Sequence, residues 1–507
     1  MALKQPRTWR LASVALASLI LTSGAVFAEE TAPTPSMEQR ALTMDDAIQL
    51  ALTNDVDILI SKQTPRVDKF GLDALYSTYD PVFGMSVIHR YQNIPGQIDP
   101  NTGRLASFSE QNDEFTPTLT GALPVGTTFT INGPQTHSQG PGISADGSYS
   151  GDVGITVTQP LLKNFWIDTP RWNIALAKGT LRYDQLALRQ QVMTVINNVK
   201  SAYYNLIYDR ENVEVEKEAV KLADELATED KQKAQLGAMT PLDAASAEAQ
   251  AAASRSDLLT ARLTLVSQEN TFKQMLALNL REWVNVTPVP SEQLVAIPEN
   301  PNLIESWQKA FELRPDLQQA KVSLEKQKIT IKYNYNQLFP ELDLQGSYQH
   351  NGTGYTAGDD FRLIQSGATR TYYYGASLTV PLDNIGARAN YKSAKATRDQ
   401  LILEFKKTEN AAIVAIQNDV ATVQSDFLKI DTSRAARAYA EQALQAEQTK
   451  LDHGKSTTLL VLQAQQTLTQ DRSAEIRALA DYNIAVEQLA LDEGTILERN
   501  KIHWAYP

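Results

Sequence analysis

Two hydrophobic periods divide this chain. Val192, Val199, Leu206, Val213, Val220 and Ala227 fall on one seven-residue repeat, and Leu181, Leu188, Val195 and Ala202 on its companion. Further on, Ile413, Ile416, Val420, Val423, Phe427 and Ile430 step by threes and fours. Apolar seams held over several heptads predict long helices packed along other helices. From Thr180 to Leu236 such a helix measures roughly 85 Å at about 1.5 Å per residue. No compact domain of this size buries a rod of that length, so it must lie along other rods.

Elsewhere the period is two. Phe83, Met85, Val87 and Tyr91 alternate with Ser86, Arg90 and Gln92, and Val153, Ile155 and Val157 with Asp152, Thr156 and Thr158. Leu342, Leu344 and Tyr348 alternate with Asp343, Gln345 and Ser347, and Tyr374, Ala376, Leu378 and Val380 with Ser377 and Thr379. One apolar and one polar face is the pattern of a membrane-barrel strand, weak in any one segment and repeated here; an ordinary half-buried sheet reads the same way. Tyr91, Trp166, Trp172 and Tyr372 to Tyr374 fall near strand ends, where barrels carry aromatic girdles.

The rods come as hairpins. Gly237 ends the first rod and Pro241 opens a return arm, with Thr240 placed as its N-cap. The return arm is rich in small residues (Ala244, Ala245, Ala247, Ala249, Ala251, Ala252, Ala253), which let helices approach closely. The second half does the same around Gly454, with Ser456 or Thr457 as the cap. Both tips lie far from the strands.

The chain is therefore built twice. Ala51 to Ile58 aligns with Ala310 to Leu317, and Asp80-Pro81-Val82-Phe83 with Phe339-Pro340-Glu341-Leu342. Val157 to Leu162 aligns with Leu378 to Asp383, and Leu236-Gly237 with His453-Gly454. The layout expected is a tail over 29–41, a first repeat over 42–287 with its tip near 237, and a linker over 288–301. A second repeat over 302–497, tip near 454, and a tail over 498–507 complete it. Pro288, Pro290, Pro298 and Pro301 stop the first hairpin in that linker.

Residues 93–148 are extra to the first repeat. Phe115, Leu119, Leu123, Phe129 and Ile131 alternate with threonines around Pro124-Val125-Gly126, which reads as an added hairpin within an extracellular loop excursion; added barrel strands or a pore plug are the alternatives. Asp99-Pro100-Asn101-Thr102-Gly103 is expected as a turn, because no bidentate acid follows at calcium-loop spacing.

The N-terminus sets the compartment. Lys4, Arg7 and Arg10, an apolar run from Leu11 to Gly24, and Val26-Phe27-Ala28 form a secretory signal over 1–28, with the mature chain starting near Glu29. No later run approaches the ~18 apolar residues of a membrane helix. Cysteine is absent, so no lipid-modified cysteine follows the signal. The net charge is −12, or −15 once Lys4, Arg7 and Arg10 are removed, which disfavours nucleic acid as a partner. The histidines His89, His137, His350, His453 and His503 form no ligand spacing, and no phosphate loop, nucleophile elbow or triad pattern occurs, so neither cofactor nor enzyme is expected.

Four core strands fall short of the about eight that a membrane barrel needs. Strands must then be borrowed from further copies, and three copies supply roughly a dozen strands and a dozen helical arms. Leu42-Thr43-Met44-Asp45-Asp46-Ala47-Ile48, Gln159-Pro160-Leu161-Leu162, Gly237-Ala238-Met239-Thr240-Pro241-Leu242-Asp243, Arg314-Pro315-Asp316-Leu317 and Pro381-Leu382-Asp383 occur in an order that resembles the TolC family of outer-membrane efflux proteins from Leu42 to about Leu497.

The resemblance implies a mostly α, α+β membrane protein: a homotrimer with a shared twelve-stranded barrel in outer-membrane lipid, and coiled-coil hairpins forming a periplasmic α-barrel. It also implies an exit duct for efflux or type I secretion, partnered by a periplasmic adaptor and an inner-membrane pump. The gate would lie at the hairpin tips. Asp243 matches the acid after the first hairpin turn in family members with a polar lock, but the usual basic partner position is Ser456, with Lys455 next door as a substitute. The positions of two aspartates in the best-known members are Leu460 and Gln463 here, so a hydrophobic constriction at Leu459 or Leu460 stands beside an acidic ring. Gly237, Ala238, Thr240, Pro241, Gly454, Lys455, Ser456 and Thr457 are the expected adaptor contacts. The plainer alternatives are that the two glycines merely reverse helices and that Asp243 merely meets a helix dipole.

Overall fold

The computed structural model describes residues 38–98, 103, 105–140, 143 and 147–502. The signal segment, residues 29–37, Asp99 to Thr102 and residues 503–507 lie outside the described residues. In chain order the first half holds β1 (Glu38–Leu42), α1 (Met44–Asn54), α2 (Val56–Leu75), β2 (Val82–Ile98), β3 (Leu105–Ala122), β4 (Thr128–Asn132), β5 (Gln135–Gln139), β6 (Ser148–Pro160), α3 (Thr169–Gln235) and α4 (Pro241–Leu276). The second holds β7 (Val286–Pro290), α5 (Leu303–Leu313), α6 (Pro315–Asn336), β8 (Glu341–Gly354), α7 (Ala357–Ser366), β9 (Arg370–Thr379), α8 (Ile385–Asp452), α9 (Thr458–Glu493) and α10 (Ile496–Arg499).

The duplication is near-exact in the rods. The first hairpin pairs a helix of 67 residues with one of 36, and the second pairs 68 with 36. A helix of 67 residues is about 100 Å long at ~1.5 Å per residue. Its return arm covers only the lower half. The upper half of α3 packs against α2 and α6, and that of α8 against α6. Upper and lower partners stack end to end, so each subunit carries four rod lanes: α3, α8, α2 above α4, and α6 above α9. The heptad seams bury as their period requires: Val192, Val199, Leu206 and Val213 in α3, and Ile416, Val420, Val423 and Ile430 in α8.

Short helices knit the waist. Thr43 and Asp46 form a capping box at α1, and Asn302 caps α5 by accepting from the Ile304 amide at 3.0 Å. The largest apolar cluster joins Leu42, Ile48 and Ile58 to Tyr203, Phe272 and Leu276. Tyr203, fully buried, donates its hydroxyl to the Leu42 carbonyl at 3.0 Å. Residues 38–41 of the expected tail and the start of the expected linker are structured here. β1 pairs in parallel with β7, placing Arg40 opposite Pro288 and Leu42 opposite Pro290. Proline is tolerated there because β7 is an edge strand of a two-stranded sheet.

The other sheet is antiparallel throughout, in the order β2-β3-β4-β6-β8-β9, with β5 also pairing to β3 and β6. β4 and β5 share one lane, interrupted at Gly133-Pro134, so seven strands fill six lanes. The described part of 93–148, expected as a loop excursion, thus extends β2 and supplies β3, β4 and β5. The alternation that suggested a hairpin runs on through the whole sheet register. Trp172, expected in an aromatic girdle, lies in the first turns of α3, stacked on Tyr333 of α6 at 4.6 Å.

Candidate functional site

Two regions carry the features of a conduit: the strand wall and the hairpin tips. In the wall, register places the alternating apolar residues of all six lanes on one face. Phe83, Met85 and Val87 of β2 stand opposite Leu119, Pro117 and Phe115 of β3. Leu119 pairs with Ile131, which pairs with Ile155, which pairs with Tyr348, which pairs with Tyr372. The opposite face carries Thr116, Thr118, Thr130, Thr156, Ser347 and Tyr373 at neighbouring positions. Met85, Val87, Phe115, Val153, Tyr372 and Tyr374 are exposed, so the apolar face is uncovered in the single chain.

The apolar band has defined borders. Below, β3 and β4 join through a tight turn in which the Gly126 amide donates to the Leu123 carbonyl at 2.9 Å. Gly126 has φ 85°, and a Cβ there would meet the Arg171 guanidinium and the Asn164 carbonyl at 3.1 Å, so only glycine fits. Above, the same face turns polar: His89 Nδ1 lies 2.6 Å from Asp113 Oδ1, and His137 stacks on Tyr149. Helix α7 covers the upper part, its buried Asp360 filling the space that Gly352 leaves open.

The tips are built alike in the two halves. Gly237 and Gly454 adopt φ 73° and 69°, and each closes its helix by the same pair of bonds. Gly237 N–H donates to Ala234 O and Ala238 N–H to Lys233 O; Gly454 N–H donates to Leu451 O and Lys455 N–H to Lys450 O. These bonds satisfy carbonyls that a helix end leaves orphaned. Thr240 caps α4 as expected, accepting from the Asp243 amide at 3.2 Å while donating its hydroxyl to Asp243 Oδ2 at 2.7 Å. In the second half neither expected cap bonds this way. Thr457 holds the N-cap position without a side-chain bond, and Ser456 donates instead to Glu447 Oε2 at 2.6 Å. Hydrogen bonds from Lys450 and Ser456 hold the Glu447 carboxyl below the usual range.

A cleft of about 440 Å³ joins the tips, lined by Ala238, Thr240 and Asp243 from one and Gly454, Ser456 and Thr457 from the other. Asp243 therefore faces the second tip, while its carboxylate is engaged by Thr240. Leu459, Leu460 and Gln463 do not line the cleft and are exposed, beside buried Val461 and Leu462. Pro241 and Lys455 are exposed as well.

Near the tips, local sequence reading missed one contact between the two hairpins. Asp230 of α3 is fully buried and accepts a hydrogen bond from Thr458 Oγ of α9 at 2.9 Å; its Oδ1 has no partner. Burial pushes the Asp230 carboxyl up, against the opposing pull of the Thr458 bond and of Lys233. The available signal was its place on the apolar stripe, three positions after Ala227 and seven after Ala223, both buried against α4. Higher up, Lys200 and Glu487 form a buried ion pair at 2.7 Å, with Asn500 accepting a second Lys200 bond at 3.0 Å. Among the described residues no cluster fit to hold a metal occurs, and no helix is long and apolar enough to cross a membrane.

Known proteins share this arrangement. The family described as Outer membrane efflux protein matches residues 106–278 and 307–493, one segment in each repeat. Nodulation protein T of Rhizobium leguminosarum bv. trifolii is 26% identical over 184 residues, 36% of this chain and 38% of that protein. The outer membrane efflux protein BepC of Brucella suis is 23% identical over 366 residues, 72% of this chain and 76% of that protein. The Campylobacter jejuni CmeC outer membrane channel superposes with a TM-score of 0.66 at 17% identity, covering 89% of this chain and 86% of that one. With the strand wall, the paired rods and a family match across both repeats, the chain belongs to the outer membrane efflux protein family: a non-enzymatic transport channel of the outer membrane with a periplasmic extension.

Proposed function

We propose that three copies of this chain assemble into one duct, the strand wall in outer-membrane lipid and the rods enclosing a periplasmic tunnel, gated where the hairpin tips converge. The observation that carries this reading is the set of surfaces a single chain leaves open. The sheet ends in two unpaired edges, β2 and β9, which a membrane does not tolerate. The rods keep a second apolar stripe uncovered, at Leu259, Leu263 and Val266 of α4 and at Leu403, Val414 and Leu428 of α8. Further copies cover both, and a heterologous contact that closes makes a ring.

The tips also serve as the docking end for a periplasmic adaptor, which couples the duct to an inner-membrane pump. Leu236 and Leu242 flank the first tip and Leu459 and Leu460 the second, all exposed beside Gly237, Ala238, Pro241, Gly454 and Lys455. Exposed leucines at a helical turn offer an apolar anchor to a partner helix. Leu459 and Leu460 narrow the closed end, and Gln463 and Asp243 supply its polar rim. Cargo, whether drug, metal or secreted protein, is selected by the pump. In planar bilayers, Leu460→Ser and Asp243→Ala are each expected to raise the conductance of the closed duct. Closed-state conductance unchanged in both variants places the constriction elsewhere.

A further inference from the structure

Six lanes per subunit exceed the four that a twelve-stranded trimeric barrel would require. We infer that the added hairpin of β3 with β4 and β5 is part of the barrel wall, so that the assembled duct carries eighteen strands, six from each of three copies, with β2 of one copy pairing to β9 of the next. The copy number rests on the trimer proposed above; the placement of the hairpin does not.

Three observations place it in the wall. First, the hairpin continues the faces of its neighbours: Phe115 and Ile131 lie in the apolar face, and Thr116 and Thr130 in the polar one. A plug inside the pore would have no reason to present an apolar face in register with the lipid band, and a loop outside would have no reason to alternate. Second, it spans the full height. The Leu123–Thr127 turn stands level with the base of the sheet, since Thr120 pairs with Val82 and Thr128 with both Ala122 and Thr158. A short turn at the base with longer connections at the top is the habit of outer-membrane barrels. Third, direction closes. The lanes alternate from β2 to β9, so β2 of one copy and β9 of the next run antiparallel, as every other pair does.

The circumference fits as well. Eighteen strands ~4.8 Å apart and tilted by ~40° have a perimeter of roughly 110 Å. Twelve rods ~9–10 Å apart, four lanes from each copy, have nearly the same. Twelve strands at that tilt reach only about 75 Å. The added lanes let the wall meet the helical tunnel without tapering, and a barrel of 16–18 strands leaves an aqueous channel wide enough for large cargo.

The chain has no cysteine, so single thiols report one place each. Phe115→Cys, Ile131→Cys, Thr116→Cys and Thr130→Cys are labelled with a bimane in the full-length assembly and reconstituted into vesicles containing dibrominated phosphatidylcholine. Strong quenching, at least two-fold, is expected at 115 and 131, with none at 116 and 130; the latter pair is quenched by aqueous iodide instead. Iodide quenching at all four positions without lipid quenching makes the hairpin a loop or plug and overturns the proposal. A second pair, Val87→Cys with a thiol at 372, 374 or 376 of β9, is expected to give oxidant-dependent linked subunits for at least one partner position; a ladder from none of them removes the β2–β9 closure. Native mass spectrometry counts the copies separately. A number other than three with the quenching pattern intact overturns the trimer and leaves the wall placement standing. A variant that loses its detergent-resistant assembly is replaced by the adjacent same-face position, Pro117 for Phe115 or Phe129 for Ile131.

Discussion

Thr458→Val is the sharpest test of the gate proposed at the hairpin tips. Valine keeps the shape of the buried threonine, 2% exposed, and removes only the hydroxyl that donates to Asp230 Oδ2 at 2.9 Å. Asp230 Oδ1 already lacks a partner, so the variant leaves a fully buried carboxylate with no hydrogen bond in the closed tip. Hydrogen bonds to charged groups contribute about 1.5–3 kcal/mol, and the stranded charge regains water when the hairpins part. Opening is then favoured by roughly one to two orders of magnitude, since each ~1.4 kcal/mol is tenfold. The effect carries its own pH signature. Burial raises the Asp230 carboxyl, so lowering the pH protonates it early and removes the need for a donor. Single-channel recording of the assembled protein at pH 7.5 is expected to show a higher open probability for the variant, with the difference shrinking as the pH is lowered. Equal open probability at pH 7.5, in a variant that keeps its assembly, would refute a tie between α3 and α9 as the hold on the gate.

Three further outcomes follow from the packing. Lys200→Met strands Glu487 in the waist and is expected to cost about 3–5 kcal/mol, read as a lowered thermal transition; Lys200→Met combined with Glu487→Leu recovers most of it. Asp419, pushed up to about 7 by burial and by the neighbouring Asp492 carboxyl, contributes stability while protonated and loses it as pH rises through that value. Wild-type melting temperature therefore falls as pH rises from about 4 to about 7, levels off above that, and Asp419→Asn flattens that slope. Gly494→Ala is expected to destabilise more than Gly454→Ala: both have positive φ, costing about 1–2 kcal/mol, but a Cβ at 494 meets Leu313 and Arg314 backbone at 2.9–3.0 Å while 454 faces open space. Equal melting shifts would assign the whole cost to backbone strain.

The rods, their tips and the duplication were legible because each rests on residues close in sequence. A heptad seam needs only i, i+3, i+4 and i+7, and Gly237 and Gly454 mark helix ends through their own backbone freedom. The faces of the strands were legible for the same reason: Phe83, Met85 and Val87, and Leu342 and Leu344, declare a side by alternation alone. Several expectations needed correction. Thr457 holds the N-cap position without a side-chain bond, while Ser456 donates back to Glu447. Trp172 turned from the girdle to a stack on Tyr333, and Pro288 and Pro290 entered a strand, because partners from distant segments came to meet them.

Local periodicity alone thus established two rod-and-strand repeats and which face of each strand is apolar. It left open which strands are neighbours and whether the hairpin within 93–148 adds lanes to the sheet, and it did not pair Asp230 with Thr458 across 228 positions. The reason is physical. A hydrophobic period is a property of one segment turning about its own axis, whereas register, lane order and the partner of a buried charge are properties of two segments. Those are settled only when the whole sheet and all four rods have packed.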